Sequence, residues 1–117
     1  MSGGTMYEQR DVVLLPFPYS DLTGAKLRPA LIISNHTLNL GEDRICCLIT
    51  SKETSDGISI QKRHFDEGSL PFHSWVKPHR IFTIHKDIIR KKLCTTSETF
   101  HQQVLDGINK HISVSRK

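Results

Sequence analysis

Long apolar stretches, repeats and paired cysteines are all missing from this sequence. No apolar run approaches the roughly 20 residues that a membrane-spanning helix needs. The chain also does not open with a basic segment followed by an apolar core, as a secretory signal does. The three cysteines, Cys46, Cys47 and Cys94, provide neither a disulfide framework nor the spacing of a metal site. We therefore expect a cytoplasmic protein that makes no membrane contact and keeps its thiols reduced.

Metal ligands at a usable spacing are lacking as well. Among the seven histidines, His73, His79 and His85 are six residues apart. This spacing is too wide for a local chelating motif, and no cysteine or carboxylate completes a set. No metal ion and no cofactor is predicted.

The chain has neither the length nor the linkers for a second lobe. Its 117 residues suffice for one hydrophobic core, and we predict a flexible head over residues 1–9 and a single domain over residues 10–117. Sixteen basic residues against twelve acidic ones give a formal net charge of +4. This excess favours an anionic partner without specifying nucleic acid.

What the sequence does have is a series of short apolar runs separated by turn residues. They predict strands at residues 12–17, 30–34, 44–50, 57–61, 74–77 and 81–85. Pro78 separates the last two, because proline cannot donate to a strand ladder. Residues 65–71 are predicted to be a connector, and the basic residues between 86 and 92 a solvated face.

The end of the chain has a different period. Apolar residues recur every fourth position from residue 100 to residue 112, and Thr95 with Glu98 matches a capping box, which predicts one amphipathic helix over residues 97–112. Short strands followed by one packing helix favour a mainly β fold, built as a strongly bent sheet or small barrel. A parallel α/β sheet would need helices between its strands.

Arg28 lies just before the predicted second strand. It precedes Pro29, whose ring biases it towards extended geometry. A fork-shaped cation held in this way suits phosphate or carboxylate recognition. On this pattern alone, an arginine that ends a strand with its head in water is the favoured interpretation. The preceding loop, residues 19–27, contains turn-forming residues and is predicted to be an exposed, mobile flap.

Two further polar clusters end apolar runs. Thr50 and Ser51 follow the third predicted strand, and Trp75, Lys77 and His79 alternate along the next one. An unbroken strand places these last three on one face, where they can hold an unpaired base, although a lone tryptophan is more often a core residue. Because strand ends in a small curved sheet converge on its rims, the clusters and the arginine can meet.

The sequence resembles the MazF/PemK family of toxin endoribonucleases. The resemblance rests on the segments DVVLLPFPYSDLTG, LRPALIIS, CLITS and RIFTI, and it runs from about residue 11 through the final helix. It implies an SH3-like barrel with a C-terminal helix, and metal-independent, sequence-selective cleavage of single-stranded RNA to a cyclic phosphate and a 5′-hydroxyl. It also implies a homodimer, a cognate antitoxin that blocks the site, and DNA binding together with that antitoxin.

The resemblance also assigns roles to residues. Arg28 takes the position of the catalytic arginine, and Thr50 with Ser51 that of the hydroxyl residues. The first loop lacks the histidine of some members, and His79 stands where others place an acid or base residue, which makes it the candidate general base. Candidate substrate-binding residues are Phe17, Tyr19, Lys26, Trp75 and Lys77.

Two alternatives stay open at this point. One is a non-catalytic toxin of the same fold that binds a protein target such as gyrase, chiefly through its terminal helix. The other is a degenerate member that binds only RNA or an antitoxin, which the absent loop histidine and the substituted later residues favour.

Overall fold

A computed structural model describes residues 7–17 and 26–117 of the chain. In this part, seven antiparallel strands form one curled half-barrel, in the order β4-β6-β3-β2-β1-β7-β5. The strands are β1 (Asp11–Phe17), β2 (Lys26–Ile32), β3 (Asp43–Thr50), β4 (Ile58–Ile60), β5 (Phe65–Gly68), β6 (Ser74–His85) and β7 (Lys91–Thr96). The helices are α1 (His36–Asn39) and α2 (Glu98–Ile112), with short 3-10 turns at Lys62–His64 and Lys86–Ile88. The predicted mainly β fold with a C-terminal helix is confirmed.

Both faces of the central strands are buried, which explains their continuous apolar runs. Neighbours such as Cys46 and Cys47 in β3 belong to different core clusters, because successive side chains of a strand point to opposite faces. One cluster lies beneath α2 and contains Phe100 and Val104 of that helix. The cysteines are buried and free, and burial raises the pKa of the Cys46 and Cys47 thiols to about 12.

The predicted break at Pro78 is wrong, because β6 runs as one strand through it. The β3–β6 register shifts between the pair Cys47 and Ile81 and the pair Ile49 and Val76. Residues 77–80 therefore form an irregularity in the ladder, and proline is tolerated at such positions because no ladder donor is needed there.

The two strands β5 and β7 were not predicted. They pair with each other at one end of the sheet, and residues 65–71, expected to be a connector, contain the first of them. β7 begins within the basic run, where Lys92 contacts Glu67 at 3.0 Å and Asp11 at 3.6 Å. Part of the predicted solvated face is therefore a strand with ion-paired side chains.

The end of the predicted head contacts the sheet. The Gln9 side-chain amide donates to the Ile33 carbonyl at 2.9 Å, and the Tyr7 carbonyl accepts from Nε of the fully buried Arg44 at 2.8 Å. Residues 1–6 lie outside the described part. In the helices of that part, no segment is both long and apolar enough to cross a membrane.

The residue that caps α2 is Ser97. Its hydroxyl oxygen accepts from the Phe100 backbone N–H at 3.1 Å. The expected cap, Thr95, lies instead in β7 and donates to Asp11 Oδ1 at 3.0 Å. The helix was therefore predicted correctly and its cap was wrong.

Ser97→Ala is expected to destabilise the protein by about 1 kcal/mol, because one N–H of the first turn loses its partner. Urea unfolding of the wild type and of Ser97→Ala measures the difference in unfolding free energy. Thr99→Ala, an exposed change in the same turn, is the matched control and should change the unfolding free energy by less than about 0.5 kcal/mol. Equal costs for the two variants would contradict the assigned cap.

Candidate active site

A cleft of about 350 Å³ opens where β2 begins and β3 ends. Its lining includes Arg28 and Lys26 from β2 and Thr50 and Ser51 from the end of β3. The structure therefore brings together two of the three polar clusters that the sequence placed at strand ends.

The register of β2 and β3 explains this meeting. Ala30 lies opposite Leu48. Arg28 is two residues before Ala30 and Thr50 is two residues after Leu48. Because the strands are antiparallel, both residues lie at the same end of the pair. The apolar part of β2, from Ala30 to Ile32, is buried, whereas Arg28 is exposed. The strand thus enters the core just after its cation, and the guanidinium lies at the cleft in contact with solvent.

The Thr50 hydroxyl has one lone pair engaged. It accepts from the Lys52 backbone N–H at 3.1 Å, which orients the oxygen and leaves the hydroxyl hydrogen to donate. Thr50 is half-buried and Ser51 is exposed. Together with Arg28, they form a set of donors suited to the oxygens of one phosphate.

The lining of the cleft also includes apolar residues. Among them are Leu27, which is 51% exposed, and the segment Leu70, Pro71 and Phe72, in which Phe72 is 72% exposed. Sequence reasoning missed Phe72, because this segment contains only the usual residues of a loop. Cationic and aromatic residues in one cleft match the two parts of a nucleotide, the phosphate and the base.

His79 lies outside this cleft. Its Nδ1 is 3.0 Å from Asp56 Oδ2, and its ring centre is 5.8 Å from that of His111. No histidine, aspartate or glutamate is found among the described residues that line the cleft. The chemistry available there is binding and stabilisation of negative charge by donors, with no side-chain base of ordinary pKa near 7.

Trp75 lies near the cleft but does not line it. It pairs with Thr50 of β3 and Ser59 of β4, and its ring stacks on His73 with centres 4.3 Å apart. Ser74, Val76 and Pro78 are buried, which leaves Trp75, Lys77 and His79 on the opposite face, as the alternation predicted.

Phe17, another predicted substrate-binding residue, does not line the cleft either. Phe17 is only 6% exposed, and its ring packs edge-on against Phe82 with centres 4.8 Å apart, so its surface is used by the core. Tyr19, together with most of the predicted flap, falls within residues 18–25, outside the described residues.

Comparison with known proteins gives a consistent result. The family described as PemK-like, MazF-like toxin of type II toxin-antitoxin system matches residues 8–112. A search of curated proteins gave no match.

Several solved structures share the fold. The chain is similar to an endoribonuclease in complex with its cognate antitoxin from a mycobacterial species, with a TM-score of 0.74, 18% identity and coverage of 95% of this chain and 99% of that one. It is also similar to the MazE-MazF complex from Deinococcus radiodurans, with a TM-score of 0.70, 18% identity and coverage of 94% of this chain and 98% of that one. The toxin MazF-mt6 from Mycobacterium tuberculosis is similar with a TM-score of 0.71, 13% identity and coverage of 91% of this chain and 99% of that one. The family match covers nearly the whole described barrel and α2, and the chain therefore belongs to the PemK-like, MazF-like toxin family of type II toxin-antitoxin systems.

Proposed function

We propose that the protein is a metal-independent endoribonuclease that cleaves single-stranded RNA at preferred sequences and acts as the toxin of its toxin-antitoxin pair. The observation that carries the proposal is the cleft in which Arg28 lies beside the hydroxyl residues Thr50 and Ser51. Family membership supports the toxin role. The similar structures include an endoribonuclease bound to its antitoxin, which supports the reaction class.

The reaction is attack of a ribose 2′-OH on the adjacent phosphate. The 2′-oxygen forms a bond to phosphorus while the bond from phosphorus to the 5′-oxygen of the next nucleotide breaks. The proton of the 2′-OH passes to water, and the released 5′-oxygen takes up a proton from water. Negative charge builds on the non-bridging oxygens, and the Arg28 guanidinium donates two charge-assisted hydrogen bonds to them. Thr50 and Ser51 hold a phosphate oxygen so that the attacking and leaving oxygens stay in line. Lys26, at the same cleft, adds positive charge for the neighbouring phosphate.

Bases adjoining the cleaved bond bind against the apolar residues of the cleft in this proposal. Phe72 offers an exposed ring there, and the stacked pair of His73 and Trp75 follows directly along the chain. Stacking on such rings tolerates any base, so sequence preference has to come from polar groups near them, for which Lys77 is a candidate. We assign no proton transfer to His79, because it is paired with Asp56 outside the cleft.

The proposed partner is a cognate antitoxin that covers this cleft. Leu27 and Phe72 are exposed apolar side chains on its rim, and a peptide segment that buries them excludes RNA from Arg28. MazE-MazF complexes among the similar structures support a partner of this kind. A homodimer, and DNA binding by the toxin-antitoxin complex, stay proposals that rest on the family resemblance.

We expect the wild-type protein to cleave long single-stranded RNA in the presence of EDTA, because Arg28 supplies the positive charge that a metal ion provides in other nucleases. Incubation with EDTA, followed by mapping of the new ends, measures this. The ends should be a cyclic phosphate and a 5′-hydroxyl. The same RNA annealed to its complement is the control and should resist cleavage.

Each contrary result removes a different part of the proposal. Loss of cleavage in EDTA, with recovery on added metal, contradicts metal independence. Ends with a 5′-phosphate contradict 2′-OH attack. If the wild type leaves RNA intact, the protein is a toxin that binds a protein target such as gyrase, or a member that only binds RNA or antitoxin.

A further inference from the structure

Three metal-binding side chains from distant parts of the sequence meet at the end of α2. Asp56 comes from the loop between β3 and β4, His79 from β6, and His111 from the last turn of α2. One ligand atom of each lies within 4.8 Å of the others, and all three residues are exposed. We propose that Asp56, His79 and His111 form a binding site for a divalent transition-metal ion, with Zn²⁺ as the best match.

The donor set supports this choice of ion. Two imidazole nitrogens and one carboxylate oxygen form a common three-ligand zinc set, with a fourth position left for water. Ligand atoms on a tetrahedral zinc lie ~3.4 Å apart, since each bond is about 2.0–2.1 Å long. Nδ1 of His79 is already 3.0 Å from Asp56 Oδ2. The widest separation is at most 4.8 Å, so it has to shorten by no more than about 1.4 Å, which rotation of exposed side chains can supply.

Hydrogen bonds already select the right atoms of two ligands. Nδ1 of His111 lies 2.9 Å from the Gly107 carbonyl, which can only accept, so this nitrogen holds the proton and Nε2 keeps its lone pair. Oδ1 of Asp56 accepts from the Thr54 hydroxyl at 3.2 Å, which leaves Oδ2 for the ion. Partners of this kind orient the ligands of established metal sites.

Close packing of the helix on the sheet brings His111 into range. Gly107 lies one turn before it, and a Cβ at Gly107 would come within 2.8 Å of Ile58 Cδ1 and 3.7 Å of Pro78 Cβ. Glycine at this position lets α2 approach so closely without a shift of the Ile58 side chain. Pro78 directly precedes His79, so that this approach sets the two imidazoles near each other.

A simple ion pair does not account for the whole group. The contact between His79 and Asp56 needs only two residues, whereas the His111 ring lies beside them at 5.8 Å from the His79 ring. An adjoining cavity of about 400 Å³, lined by Asp56 and His111 among others, has room for water on the ion. None of the three lines the Arg28 cleft, so the ion would tie the end of α2 to the sheet and take no part in RNA cleavage.

Titration of untagged protein with a Zn²⁺ salt, followed by calorimetry, tests the proposal. We expect one ion per chain, and an affinity at least about tenfold weaker in His79→Ala and in His111→Ala, since even groups that only support a ligand contribute that much. His85→Ala is the matched control. His85 also contacts a carboxylate, that of Glu42 at 2.6 Å, but it belongs to no three-ligand group in the described residues. The His85→Ala variant should therefore bind Zn²⁺ as tightly as the wild type.

A second readout follows the role of the ion in joining α2 to the sheet. Zn²⁺ should raise the thermal unfolding midpoint of the wild type and of His85→Ala, and leave that of His111→Ala unchanged. Circular dichroism of each variant checks that it is folded. Absence of saturable binding to the wild type, or equal binding by wild type and His111→Ala, would overturn the proposal.

Discussion

Alanine in place of Arg28 is expected to slow RNA cleavage about a hundredfold, equivalent to about 3 kcal/mol of lost transition-state stabilisation. Charge on the phosphate oxygens develops most fully in the transition state, and in the proposed mechanism Arg28 is the bidentate donor that meets it. Cleavage of a defined single-stranded RNA under single-turnover conditions measures the rate of the chemical step without the contribution of product release.

Two variants separate the geometry of Arg28 from its charge. Arg28→Lys keeps a cation but loses the paired donors, and its rate should fall between those of the wild type and the alanine variant. Arg63→Ala is the control for lost positive charge, because Arg63 is exposed on a 3-10 turn and does not line the cleft. Arg28 is itself exposed, so thermal unfolding should hardly change. Cleavage by Arg28→Ala within about threefold of the wild type would show that the site lies elsewhere.

The part of the site that depends on strand ends could be predicted from the sequence. Arg28 and Thr50 each adjoin an apolar run, and apolar runs buried on both faces identify β2 and β3 without further information. Once these strands pair antiparallel, the two residues fall at the same end of the pair. Their meeting therefore needs only a pattern that is local in sequence and one pairing.

Residues whose position depends on long-range packing could not be predicted in this way. The alternation of Trp75, Lys77 and His79 was correct, but it gives no information about which elements face that side of β6. The irregularity at residues 77–80 and the docking of α2 turn His79 towards Asp56 and His111. Both depend on contacts between residues far apart in the chain.

The missed strands have a different physical cause. β7, with the sequence KKLCTT, shows only a weak alternation, and its first two residues are exposed lysines. Such a strand is specified by its partners rather than by its own propensity, since β1 and β5 pair on either side of it. Local patterns predicted the centre of the sheet correctly and failed at its polar end.

Acid is expected to destabilise the protein through His101, beginning at a pH above the range in which carboxylates titrate. His101 is one of the buried residues of α2 and is only 4% exposed. Burial of the ring, together with the positive charge of Arg10, lowers its pKa from 6.5 to about 4. The unfolded chain therefore takes up a proton before the folded protein does. The stability from the neutral ring is complete above pH 6.5 and is lost as the pH falls towards 4.

The expected loss is about 2 kcal/mol between pH 7.5 and pH 5, and about 3 kcal/mol once the pH is below 4. Urea unfolding at pH 7.5 and pH 5 measures this loss. The variant His101→Gln isolates the contribution of His101, because glutamine does not titrate. The unfolding free energy of this variant should therefore change less between the two pH values. His36→Gln is the control, since it replaces an exposed histidine. The stability of this variant should have the pH dependence of the wild type. The same pH dependence in the wild type and His101→Gln would show that the folded protein accommodates a charged ring at this position. The loss of stability in acid would then come from other groups, because a group whose pKa is the same in the folded and the unfolded chain contributes nothing to the pH dependence of stability.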